Sequence, residues 1–207
     1  MTRKVLLFAM ATLLGVGVAF AQETGTGAGR VEIGAIPVGG VMFMKSTNGT
    51  EPKFGNYVLG GSVTGNVNRF IGIEGDLGFG MGRRQDLTFN GAQLTDQKTP
   101  NLLTYSGSVV YHPAGKDRAV VPYVIGGAGA MTMFNTTDAA NLGLTQDKTY
   151  FTANVGGGLK WFPMSHWGLR GDYRYIAINK DTAAPAFFGQ QELRHAHRVY
   201  GALVLTF

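Results

Sequence analysis

The chain contains no cysteine, which excludes a disulfide framework and any thiolate metal centre. Charge is scarce, at 15% of residues, and the cations form no clustered stripe, so nucleic acid is not an expected partner. A disordered or coiled-coil chain is excluded as well, because 44% of the residues are hydrophobic and aromatics are plentiful. Past the N-terminal segment, no run is fit to be a membrane helix. The longest uncharged stretch, 119–134, contains Pro122, Gly126, Gly127 and Gly129, residues that oppose a helix. Glycine is abundant instead: 32 of 207 residues, beside 13 Phe and 8 Tyr. Small and aromatic residues in that proportion suit one domain of tightly curved strands.

Arg3 and Lys4 precede an uncharged apolar run, Val5 to Val18, and Ala19 and Ala21 flank Phe20 as small residues at the exit. That is the pattern of a cleaved signal peptide. The run is also shorter than the roughly 20 residues of a spanning helix. Residues 1–21 are therefore expected to be a signal peptide cut after Ala21, 22–30 a short N-terminal segment, and 31–207 the functional domain. Cleavage removes two cations, Arg3 and Lys4, and takes the formal net charge from +5 to +3.

An exported chain without a spanning helix can still cross a bilayer, with strands closed into a barrel. Its mark is period-two alternation over segments of about ten residues. The third segment shows it best: Ile71, Ile73, Leu77, Phe79 and Met81 share one face, and Gly72, Glu74, Asp76, Gly78 and Gly80 the other. The same parity recurs at 57–68, 103–112, 151–161, 167–175 and 198–207, more weakly at 31–43 and 121–131. Eight strands result. Short connections at 68–69, 113–117 and 163–166 alternate with long ones at 44–56, 82–101, 132–149 and 177–194, as in outer-membrane barrels with the long loops outside. Phe70, Tyr111, Tyr123, Trp161 and Trp167 beside the short turns are expected to form an interfacial girdle.

The run from Gly156 to Phe162, the turn, and Trp167 to Tyr175, followed by an alternating C-terminal strand ending at Phe207, resemble the small outer membrane β-barrel family, OmpA-like and OmpX-like. The resemblance implies an all-β fold, an eight-stranded antiparallel up-and-down transmembrane barrel in a Gram-negative outer membrane. With the last strand ending at Phe207, the periplasmic peptidoglycan-binding domain of OmpA-type proteins is not expected, and neither is a cell-wall tether. The resemblance also implies that Leu203, Leu205 and Phe207 carry the signal read by the barrel-assembly machinery, and that outer-membrane lipid and lipopolysaccharide are the neighbours of a monomeric barrel.

Other motifs read plainly. Gly126 to Gly129 and Gly156 to Gly158 have no following helix and no P-loop lysine, so they are curvature glycines rather than a phosphate loop. His195 and His197 share an outward face but lack further ligands, so no metal or other cofactor is expected. No nucleophile, base and acid converge on the outer ends of adjacent strands, which argues against a lipid-modifying enzyme. Phe187 and Phe188 at the fourth loop tip either contact an external ligand or, the preferred reading, fold back onto the loop base. The lumen is expected to hold Glu74, Asp76, Lys160, Arg170, Asp172, Arg174 and Arg198 as a salt-bridged plug. Glu74, Arg170 and Lys160 should share one level, with Asp76, Asp172 and Arg174 above. The expected role is structural or surface-interacting through the loops; the alternative is a narrow diffusion channel.

Overall fold

The computed structural model describes residues 31–45, 51–89, 91–135, 144, 146–181, 184, 188 and 193–207. The strands are β1 (Val31–Phe43), β2 (Phe54–Asn66), β3 (Ile71–Met81), β4 (Arg84–Phe89), β5 (Ala92–Lys98), β6 (Leu102–Tyr111), β7 (Val120–Met133), β8 (Lys148–Trp161), β9 (Trp167–Ile178) and β10 (Arg194–Thr206). Eight of them close into one antiparallel barrel, in the cyclic order β1-β2-β3-β6-β7-β8-β9-β10. β10 pairs with β1 from Thr206 opposite Glu32 to Ala196 opposite Phe43, which leaves no open edge for lipid to meet. Among the described residues there is no helix. The eight-stranded up-and-down barrel read from the alternation is the observed fold. β4 and β5 form a separate hairpin in the connection between β3 and β6.

Alternation sorts the side chains as lipid requires. In β3, Glu74 and Asp76 are buried while Ile73 and Phe79 lie exposed on the outside, the inverse of a soluble protein. The two weakly patterned segments have separate causes. β1 carries a bulge between Ala35 and Gly40, so the buried set shifts from Glu32, Gly34 and Ile36 to Val41 and Phe43. Pro37, which cannot donate to a ladder, sits within that bulge. β7 is apolar on both faces, Val121, Tyr123 and Ile125 turning inward and Val120 and Val124 outward, so its sequence offers no contrast.

That parity corrects the girdle. Tyr111, Trp161 and Trp167 are exposed on the outside, but Tyr123 is buried in the lumen. The Gly127 and Gly129 stretch is a close approach: a Cβ at either position would collide with the backbone of Gly107 or Tyr105 on β6. Val31 and Phe207 exchange backbone hydrogen bonds at the end that carries the short turns, the periplasmic end.

Candidate functional site

Charges converge inside the bore. β9 points Arg170, Asp172 and Arg174 inward, and β3 points Glu74 and Asp76 inward from the opposite wall, four strands away in either direction. Lys160 of β8 and Arg198 of β10 complete the seven expected residues, all of them buried. In this cluster the sequence reading missed an eighth, Glu32, because the β1 bulge hides its parity; nearer the loops it also missed the buried Arg194–Glu51 pair. Glu32 raises the count to four carboxylates against four cations.

The pairing runs across the bore. Arg170 donates to Glu74 at 2.5 and 3.3 Å, to Asp172 at 2.6 Å and to the Tyr123 hydroxyl at 2.7 Å. Arg174 donates to Glu74 at 2.6 Å, to Asp172 at 2.9 Å and to the Tyr200 hydroxyl at 2.7 Å. The Tyr123 hydroxyl in turn donates to Asp172 at 2.5 Å. Arg170 also lies 4.6 Å from the Tyr123 ring centroid. Two guanidiniums from one wall thus grip a carboxylate on the other, which forms a strut across the barrel.

The expected layers are partly reordered. Lys160 does not join Glu74; it donates to Glu32 at 2.5 Å, nearer the periplasmic mouth, and Asn66 donates to the same carboxylate at 2.9 Å. Directly across from Arg170 in the sheet, Lys160 escapes a like charge by turning downward. His112, just past the end of β6, lies 3.4 Å from Lys160. Burial and the Lys160 charge push its pKa down from 6.5 to about 4. Asp76 pairs at 2.9 Å with Arg198 and stands 4.0 Å from Arg174.

The outer half of the bore is mainly apolar, around one buried ion pair in which Arg194 donates to Glu51 at 2.6 Å. Phe43, Phe54, Val58, Leu102, Met131 and Met133 line it from the walls. Leu87 of the hairpin, Leu144, Ala184 and Phe188 join them. Phe188 is fully buried, its ring centroid 5.5 Å from Phe43 and 5.1 Å from Tyr150. It is therefore an inward stopper, consistent with folding back and not with an exposed contact; Phe187 lies outside the described residues. Between the charged strut and this cap is a cavity of about 30 Å³. Asp76 Oδ2, Asn154 Oδ1, Arg174 Nη1 and Arg198 Nε belong to its lining residues and make no hydrogen bond to protein. The space suits one or two waters.

Residues 6–199 match the outer membrane protein beta-barrel domain family. The chain belongs to that family. It is an integral protein of the outer membrane. Compared by sequence with curated proteins, it matches none. Among solved structures it is similar to Neisserial surface protein A, with 14% identity, TM-score 0.57, and coverage of 86% of this chain and 96% of that one. It is also similar to the N-terminal barrel of Pseudomonas aeruginosa OprF, with 16% identity, TM-score 0.52, and coverage of 87% and 99%. Yersinia pestis Ail, crystallised with the heparin analogue sucrose octasulfate, is 11% identical with TM-score 0.53, and coverage is 86% and 98%. At such identities these structures speak for the barrel alone.

Leu203, Leu205 and Phe207 all face outward and are exposed. His195 and His197 are half-exposed on the outer wall, and their Nδ1 atoms share hydrogen bonds with Tyr175 at 2.5 Å and Tyr173 at 2.7 Å. Among the described residues no three potential ligands gather around a metal position. Ser165 Oγ lies 2.8 Å from His166 Nδ1 in an exposed turn at the periplasmic end. Ala19 and Ala21, at the expected cleavage site, lie outside the described residues.

Proposed function

We propose that the barrel is a closed outer-membrane scaffold with a structural or surface-interaction role, carried by its long external loops, rather than a diffusion channel. The observation that carries this reading is double closure. The Arg170–Glu74–Arg174 strut spans the lower bore, and the apolar cap around Phe188 fills the upper. An eight-stranded barrel is only wide enough for side chains to fill its interior. In cells the barrel-assembly machinery would insert it as a monomer among lipopolysaccharide, and an external ligand would meet the loops.

Planar-bilayer recording of the pure refolded barrel tests the proposal. No steady conductance is expected, and a large, stable current from the wild-type protein would overturn it. The narrow-channel reading has one observation in its favour, the small cavity with unpaired polar atoms between the two closures. A lipid-modifying enzyme is disfavoured. Ser165 and His166 sit at the periplasmic end, far from the outer leaflet such an enzyme would work on.

A further inference from the structure

The lipid-facing wall has a notch. On β1, Gly40 stands between Val199 of β10 and Tyr57 of β2, two outward side chains each 58% exposed. One step toward the loops, Met42 of β1 stands beside Gly55 of β2. A Cβ on Gly40 would meet only the Asn56 carbonyl oxygen, at 3.7 Å, so the floor of the notch is open space. The notch belongs to a groove of about 660 Å³, within the size range of ligand sites.

The rim of this groove is basic. Lys53 and Arg83 line it and are both exposed, and no carboxylate lines it. The Arg83 guanidinium lies 5.8 Å from the Tyr57 ring centroid, at the loop end of the lipid-facing band. The groove therefore offers an apolar slot running down into the membrane from a pair of cations at its outer surface. That combination fits an amphiphile with acyl chains below and phosphate above. A second copy of this chain fits poorly, because a two-fold contact here would bring the cations of both copies together. The outer leaflet supplies the matching amphiphile as lipid A.

We propose that this groove is a binding site for a phosphorylated glycolipid of the lipid A type. One acyl chain lies over Gly40 between Val199 and Tyr57, and one phosphate lies between Lys53 and Arg83. The site deepens the reading of lipopolysaccharide as a neighbour. It rests on the barrel's orientation and not on the state of the lumen, so either proposal can fail without the other.

The test uses refolded barrel in mild detergent, titrated with lipid A, dephosphorylated lipid A or phosphatidylglycerol, and followed by native mass spectrometry. Lipid A should bind at least about tenfold better than either comparison lipid, because two cations act on a phosphate monoester that dephosphorylated lipid A lacks and that phosphatidylglycerol replaces with a singly charged diester. Lys53→Glu/Arg83→Glu should abolish that preference. Gly40→Leu, which fills the slot without touching the ladder, should weaken lipid A binding while leaving thermal unfolding unchanged. Equal binding of phosphatidylglycerol, or undiminished binding by both correctly folded variants, would overturn the proposal. So would a dimer that lipid A does not displace.

Discussion

Removing Arg170 is the most direct test of the charged strut. In the wild-type cluster Glu74, Asp76 and Asp172 face Arg170, Arg174 and Arg198, three charges of each sign. Arg170→Ala erases the bonds to Glu74, Asp172 and the Tyr123 hydroxyl and leaves one carboxylate in excess. Breaking a buried ion pair by deleting one partner costs about 3–5 kcal/mol. Arg174 still contacts both Glu74 and Asp172, so the lower end, about 3 kcal/mol, is the expected loss. Urea unfolding in detergent, followed by tryptophan fluorescence, measures it. Adding Glu74→Gln should then recover at least about 1 kcal/mol, because it restores charge balance between neighbouring sites. A loss below about 1 kcal/mol for Arg170→Ala, with no recovery on adding Glu74→Gln, would show that water solvates these charges separately. The strut reasoning would then fail.

Phe188→Ala should destabilise the barrel by about 3 kcal/mol through the cavity left in the apolar cap, without creating steady conductance while the strut stands; bilayer recording checks the second part. Phe207→Ala keeps the backbone bonds to Val31 and removes only an exposed ring. It should lower outer-membrane levels in cells while refolding in detergent stays near normal, and equal loss in both assays would make Phe207 a simple packing residue. His112 binds its proton less readily when folded than when unfolded, its pKa having dropped from 6.5 to about 4. Its contribution to stability is therefore complete above pH 6.5 and falls as the pH drops toward 4. His112→Asn should flatten that part of the urea midpoint against pH.

The sequence made the wall of the barrel readable and its interior only partly so. β3, and β9 as far as Arg174, place a charge or a glycine at every second position, and lipid and lumen demand opposite chemistry, so these inward faces could be assigned without coordinates. Period-two reasoning fails where the backbone slips or where both faces look alike. The bulge at Pro37 concealed Glu32, and the two apolar faces of β7 sent Tyr123 to the wrong side. Alternation also gives the face but not the position around the barrel. Arg170 and Glu74 meet because β9 and β3 stand opposite each other, and Lys160 leaves that level because it lies beside Arg170. The apolar cap was less visible still, because several of its members come from connections whose path no alternation dictates.

The glycine content and the buried arginines belong to one solution of the same packing problem. A bore filled by side chains must take its long ones where the opposing or adjacent wall is bare. Gly156 pairs with Arg174 and Gly158 with Asp172 across the β8–β9 ladder, and a Cβ on Gly78 would come within 3.4 Å of the Arg198 guanidinium. Inward glycines thus supply the volume that the charged strut occupies. Outward, the same residue type has the opposite partner. Gly40 lacks a side chain where lipid, not protein, must fill the space. In the lumen Gly78 and Gly158 face side chains from this chain, and Gly40 does not. A bulky residue at Gly158 would collide with the Gly171 backbone and the Tyr123 hydroxyl, whereas one at Gly40 would displace only what the membrane brings there.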